Sequence, residues 1–151
     1  MTRSERKDRP KTVLLVEDSP GDIRLMQEAF KTADRSVQLQ VVPDGLAAMA
    51  YLRREGIFAN AIRPALILLD LNLPKMDGRE VLANIKTDDS LRLIPTIILT
   101  TSDSVEDVLY CYECQANSYL CKPVGLELFE KTVESIDNYW LTNAVSLELP
   151  R

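Results

Sequence analysis

The chain has 151 residues, 46% of them hydrophobic and 27% charged, with a formal net charge of −5. That length suits one domain with a real core, and the acidic balance argues against a nucleic-acid-binding surface, whose footprint is usually basic. No apolar run approaches a membrane span, and the charged opening MTRSERKDRPK lacks the apolar segment of a signal peptide, so residues 1–10 are expected to be a flexible tail and the protein cytoplasmic.

In chain order, TVLLV (Thr12–Val16) reads as a short apolar strand. PGDIRLMQEAFKTA follows as a helix with Ile23, Met26 and Phe30 on one face. Pro20 stands near its first turn, where a missing N–H costs little. VQLQVV (Val37–Val42) alternates apolar and polar, as a strand with one less buried face does. Asp44 then opens a helix with Leu46, Met49 and Leu52 inward, and Gly56 stops it.

The second half repeats the alternation. The strand ALILL (Ala65–Leu69) leads through DLNLPKMDG to a helix carrying Val81, Leu82 and Ile85. Pro95–Thr100 leads through TSDS to a helix with Val105, Val108, Leu109 and Tyr112 as its apolar residues. Asn117–Cys121 leads to a last helix whose inward stripe is Leu126, Phe129, Val133, Ile136 and Trp140. Tyr139 and Trp140 are expected to anchor that helix, and Tyr110 and Tyr112 to be helix surface and core. Five strands alternating with five helices imply an α/β domain with a parallel sheet covered on both sides. Right-handed crossovers leave few topologies, and a flavodoxin-like three-layer (βα)5 sandwich with strand order 2-1-3-4-5 is the expected one. The domain is placed at residues 11–141, with a tail at 142–151 too short for an appended DNA-binding module.

Three cysteines, Cys111, Cys114 and Cys121, fall late in the chain, and there is no histidine. A zinc site would need more ligands than these supply. Unpaired structural thiols in a reducing compartment are the expected reading.

The informative residues lie at the strand ends. The first strand ends in Glu17-Asp18, the third in Asp70, the fourth in Thr100, and the fifth runs into Lys122-Pro123. In a 2-1-3-4-5 sheet these carboxyl ends meet at the crevice where ligands bind. Carboxylates gathered there repel unless one is protonated or a cation lies between them. Oxygen donors without His or Cys point to Mg²⁺. Lys122 makes sense as the counter-charge to an anion, and Thr100 as a neutral donor to the same anion. The crevice therefore suits a phosphoryl group. No nucleotide-cradling glycine loop is present, and EDSPGD after the first strand is too anionic for a flavin phosphate loop. An aspartate-nucleophile hydrolase would want an acid where Asn72 stands. What remains is covalent chemistry at Asp70, forming an acyl phosphate.

The motifs LLVEDSPGD, LILLDLNLPKMDG, IPTIILTTS and ANSYLCKP occur in this order. In them the chain resembles the response-regulator receiver domains of bacterial two-component signalling, over about Lys11 to Trp140. The resemblance implies that Asp70 accepts a phosphoryl group from a histidine kinase. It implies that Asp18 is the principal Mg²⁺ carboxylate, that Glu17 acts partly through water, and that the backbone carbonyl of Asn72 completes the protein ligands. Thr100 would be the switch hydroxyl, and Tyr119 the aromatic that moves inward behind it. Lys122 would pair with the phosphoryl group, and the Lys122–Pro123 bond is expected to be cis. Glu17 departs from the Asp common at its position; the extra methylene suits an outer-sphere contact better than a rigid ligand. SPGDIRL, ANSYLCKPV and the terminal YW are most similar to small cyanobacterial regulators that serve phytochrome histidine kinases, which makes a bacteriophytochrome the expected kinase. The resemblance also implies a switch without enzymatic turnover of other substrates, and a homodimer through helix 4, strand 5 and helix 5, which the apolar LTNAVSLEL could extend. The alternative is a receiver-fold interaction module that is never phosphorylated; intact Asp18, Asp70, Thr100 and Lys122 argue against it.

Overall fold

The computed structural model describes residues 10–34 and 36–144. The tail expected at residues 1–10 lies outside them except for Pro10, as does most of the one expected at 142–151. Five strands, β1 (Lys11–Val16), β2 (Val37–Val42), β3 (Leu66–Leu69), β4 (Thr96–Thr100) and β5 (Ser118–Cys121), alternate with five helices. These are α1 (Pro20–Ala33), α2 (Gly45–Arg53), α3 (Gly78–Thr87), α4 (Val105–Glu113) and α5 (Leu126–Ile136). The strands pair in parallel in the order β2-β1-β3-β4-β5, as the sequence pattern predicts.

Strand β3 is apolar at every position, and β1 and β4 carry unbroken apolar runs at Val13–Val16 and Ile97–Leu99, because alternate side chains enter different cores. Val13, Leu15, Leu66, Leu68, Ile97 and Leu99 pack against Met26 and Phe30 of α1 and Phe129, Val133 and Ile136 of α5. Leu14, Val16, Ile67, Leu69 and Ile98 pack against Met49 and Leu52 of α2, Val81, Leu82 and Ile85 of α3, and Cys111 of α4. Edge strand β2 keeps Gln38 and Gln40 exposed, in line with its alternating sequence.

The βα loops on the site's edge of the sheet are stiffened by helix caps. The Ser19 hydroxyl accepts from Asp22 N, the Asp44 carboxylate from Ala47 N, the Asp77 carboxylate from Arg79 N and the Ser104 hydroxyl from Asp107 N. Each satisfies a backbone donor that the helix start leaves orphaned. The β5–α5 loop differs: the residue that precedes its helix is Gly125, with φ +86° and no side-chain cap.

Three sequence expectations are corrected. The Lys122–Pro123 bond is trans, like every peptide bond among the described residues. Leu46 and Leu126, expected inward, are exposed in the first turns of α2 and α5, ahead of the residues of those helices that reach the core. On α4, Val105, Leu109 and Tyr112 are 80%, 56% and 47% exposed. That nine-residue helix carries two apolar stripes at helical spacing, and Val108, Cys111 and Cys114 make the one that turns inward. The three cysteines are free thiols: Cys111 buried, Cys114 half-buried and Cys121 exposed. Beyond α5 the chain continues in a wider π-type turn, Asp137–Asn143, with Leu141 and Thr142 buried. Trp140 packs on the α1–α5 core, and Tyr139, edge-on to it at 5.1 Å between ring centroids, is exposed. Among the described residues, no helix is long and apolar enough to cross a membrane.

Gly78, at the start of α3, has no room for a side chain. A Cβ there would lie 2.2 Å from the Asp70 carbonyl oxygen and 2.5 Å from Leu71 Cα, both backbone atoms. Gly78→Ala is therefore expected to lose about 1–3 kcal/mol or more. Gly21→Ala, in open space on α1, should be neutral or gain up to about 1 kcal/mol. Urea midpoints with unchanged slopes would show the contrast; equal midpoints would contradict it.

Candidate functional site

The last ladder bonds of the sheet set the site. Asp70 N donates to Val16 O at 3.1 Å, Glu17 N to Val42 O at 3.1 Å, and Lys122 N to Thr100 O at 2.7 Å. Four neighbouring strands thus deliver Glu17, Asp70, Thr100 and Lys122 to one edge, as the strand ends suggested. Glu17, Asp70 and Thr100 are buried and Asp18 is exposed.

The Lys122 ammonium is the centre of the constellation. It donates to Glu17 Oε1 in a short contact, to Asp70 Oδ2 at 2.9 Å and to Asp22 Oδ2 at 2.9 Å. An ammonium has three N–H donors, so its bonding is complete. Burial would lower the pKa of Lys122, but the hydrogen bonds to Glu17, Asp22 and Asp70 hold it above its ordinary value. Burial pushes the Glu17 carboxyl up to about 7, against the pull of the Lys122 hydrogen bond and with help from neighbouring Asp70. Burial acts on Asp70 in the same sense, yet hydrogen bonding with Glu17 and Lys122 keeps its carboxylate below the ordinary range. Of the two buried acids, Asp70 is the one kept ionised, as a nucleophile must be.

Ligand oxygens of Glu17, Asp18 and Asp70 lie within 4.8 Å of one another, the spacing of a shared cation. Three carboxylate oxygens without sulfur or imidazole fit a hard divalent ion. Asn72, expected to contribute its carbonyl, directs its N–H to Asp70 Oδ1 at 3.3 Å. The Thr100 hydroxyl is fully buried and has no partner at normal bonding distance. It is near enough to Asp70 only to help tip that carboxylate toward its ionised form. Tyr119 is half-buried and donates its hydroxyl to Ser102 O at 2.8 Å, in the loop after β4.

Four residues of this region escaped the sequence reading. Asp22 is the third carboxylate on Lys122. Arg79 Nε and Nη2 donate to Asp107 Oδ1 and Oδ2, both at 2.8 Å, in a bidentate pair that ties α3 to α4. Ser102 Oγ donates to the same Asp107 at 2.6 Å, so the pair also holds the β4–α4 loop. The one signal for it was the spacing of Ser104 and Asp107, a helix start with an acid in its first turn.

The chain matches the family model described as "Response regulator receiver domain" over residues 13–134. It is 50% identical over 138 residues to "Response regulator Rcp1" of Synechocystis sp., covering 91% of this chain and 94% of the relative. A crystal structure of the Mn²⁺-bound form of Rcp1 superposes with a TM-score of 0.86 at 49% identity, covering 92% of this chain and 100% of that one. The crystal structure of the phosphorylated cyanobacterial phytochrome response regulator RcpA gives 0.87 at 47% identity, covering 91% and 99%. The fold and the rim of acids, hydroxyl and lysine define a receiver domain. The chain belongs to the response-regulator receiver family and is a signalling protein of that class.

The guanidinium of Arg79 and the hydroxyl of Ser102 hold the Asp107 carboxyl well below the usual carboxylate range. A depressed folded-state pKa contributes stability that is present above the unfolded value of 3.8 and lost as the pH falls through the folded value. The stability advantage of the parent over Asp107→Asn should therefore shrink as acid is added below that value. Thermal midpoints across an acid series check this; a constant gap would contradict it.

Proposed function

We propose that the protein is a phosphorylation switch in which Asp70 takes the phosphoryl group. The observation that carries this reading is a buried Asp70 whose Oδ2 lies 2.9 Å from the Lys122 ammonium, beside an unpartnered Thr100 hydroxyl. In the reaction a carboxylate oxygen of Asp70 attacks phosphorus as the bond from phosphorus to the donor histidine breaks, leaving an acyl phosphate and the free imidazole. Lys122 pairs with the incoming phosphoryl oxygens, and Thr100 gains in them the acceptor it lacks. Glu17, Asp18, Asp70 and the Asn72 carbonyl would hold Mg²⁺, which would supply charge neutralisation for the transferring group; the carboxylate oxygens of Glu17, Asp18 and Asp70 support that assignment. The protein catalyses at most its own phosphorylation and dephosphorylation.

Thr100 and Tyr119 carry the change outward. As Thr100 turns to the phosphoryl group, Tyr119 leaves Ser102 and moves into the space behind it. The readout surface is α4, β5, α5 and the loop between the last two, where Val105, Leu109 and Tyr112 of α4, Val124 of the loop and Leu128 of α5 are exposed. A stripe of this kind supports partner docking, and we assign it to a homodimer. The receiver unit is residues 11–141 with flanks 1–10 and 142–151; the Asp137–Asn143 turn runs slightly beyond that bound. The writing partner is a histidine kinase in the cytoplasm, with a bacteriophytochrome the candidate because the similar RcpA is a phytochrome response regulator. Neither nucleic acid nor membrane is a partner in this reading.

Incubation with Mg²⁺ and acetyl phosphate should add the mass of one phosphoryl group to the intact protein, and Asp70→Asn should add none. No adduct on the parent would favour an interaction module, and rapid release of phosphate from many substrates an enzyme. Beryllofluoride, a phosphoryl mimic, should raise the dimer fraction seen in sedimentation, and Leu109→Glu should abolish that rise. A beryllofluoride-driven dimer retained in Leu109→Glu would remove α4 from the interface.

A further inference from the structure

Two sets of groups overlap in the crevice without coinciding. The oxygens that converge for a cation come from Glu17, Asp18 and Asp70. The oxygens that hold the Lys122 ammonium come from Glu17, Asp70 and Asp22. Two carboxylates are therefore claimed by both cations, and an ammonium within bonding distance of them repels a divalent ion entering beside it. Asp22 alone binds the ammonium without belonging to the metal group. It rides on the first turn of α1, its N–H on the Ser19 cap, with its side chain 29% exposed against 9% for Lys122. Lys122 lies on the one βα loop whose helix lacks a side-chain cap, at the end of a flexible four-carbon stem.

We propose that Asp22 is a positioning residue that retains the Lys122 ammonium at the crevice when a divalent cation takes over the Glu17 and Asp70 oxygens. Lys122 is then a tethered stand-in for the metal, and Asp22 the partner it keeps on being displaced. The charge stays within reach of Asp70 for the phosphoryl group instead of swinging into solvent. The inference rests on reading the crevice as a divalent-cation site, and deepens that reading by naming what the metal must displace and where the displaced charge goes.

Calorimetric titration with Mg²⁺ alone tests it, on the parent, Asp22→Asn, Lys122→Met and the double variant. Asp22→Asn should weaken Mg²⁺ binding by about three- to tenfold, the scale of one partly exposed ion pair. In the Lys122→Met background the same change should alter affinity by less than about twofold, because no ammonium needs a second partner. Asp22→Glu, which keeps the acceptor, should recover part of the loss. An equal loss in both backgrounds would overturn the proposal, since Asp22 would then act on the metal as a nearby charge. Unchanged affinity in Asp22→Asn would overturn it too. A parent that binds no Mg²⁺ would instead bring down the cation-site reading and the inference with it. Lys122→Gln provides the second background if Lys122→Met fails to fold.

Discussion

The site depends on one ammonium group buried among carboxylates. Removing Glu17 and Asp70 from water side by side would be strongly unfavourable without a positive charge between them. Lys122 provides it and draws both carboxyls down, while the hydrogen bond between Glu17 and Asp70 raises the first and lowers the second, so the two neighbouring acids respond in opposite senses. Hydrogen bonding keeps Asp70 ionised, while burial drives Glu17 toward its neutral form. The net charge of the crevice is thereby limited before any external cation arrives. The sheet makes the arrangement reproducible, because Glu17, Asp70 and Lys122 are each fixed by a backbone bond to the neighbouring strand end.

Rigidity and freedom are distributed unevenly around this centre. Helices α1 to α4 begin at side-chain caps, which hold Asp18, Asn72 and the β4–α4 loop in defined frames. Close contact between Gly78 and the Asp70 carbonyl presses α3 against the residue that would take the phosphoryl group. The Arg79–Asp107 pair and Ser102 add a second tie on the side of Tyr119. The loop bearing Lys122 has no such restraint at its helix start. Fixed acids facing a more adaptable cation is what a site needs if charges are to be exchanged without disturbing the fold.

Much of this could be read from the residues. Uninterrupted apolar strands separated by amphipathic helices gave the layers and the strand order, and polar residues at the strand ends gave the crevice. The failures share a physical cause, since each depends on a choice that local pattern leaves open. Asp22 reads as an ordinary acid favoured by a helix N-terminus, and only its three-dimensional proximity to a lysine 100 positions later reveals another role. Arg79 and Asp107 are separated by 28 residues and carry no shared motif. Helix α4 presents apolar residues on two faces, and only its packing against the core that holds Cys111 shows which is buried. The geometry of the Lys122–Pro123 bond follows from the loop around it and not from the dipeptide.

The cysteines have a practical consequence. Cys111 is sealed in the core with its thiol pushed up by burial to about 11, and Cys114 is half-covered. Cys121 is exposed, immediately before Lys122, with its sulfur 3.8 Å from the carbonyl of Ser102. A thiol-directed dye under mild conditions thus has one open attachment point on the natural chain. It lies on the rim of the crevice beside the loop that Tyr119 holds, so optical reporting there needs no engineered cysteine.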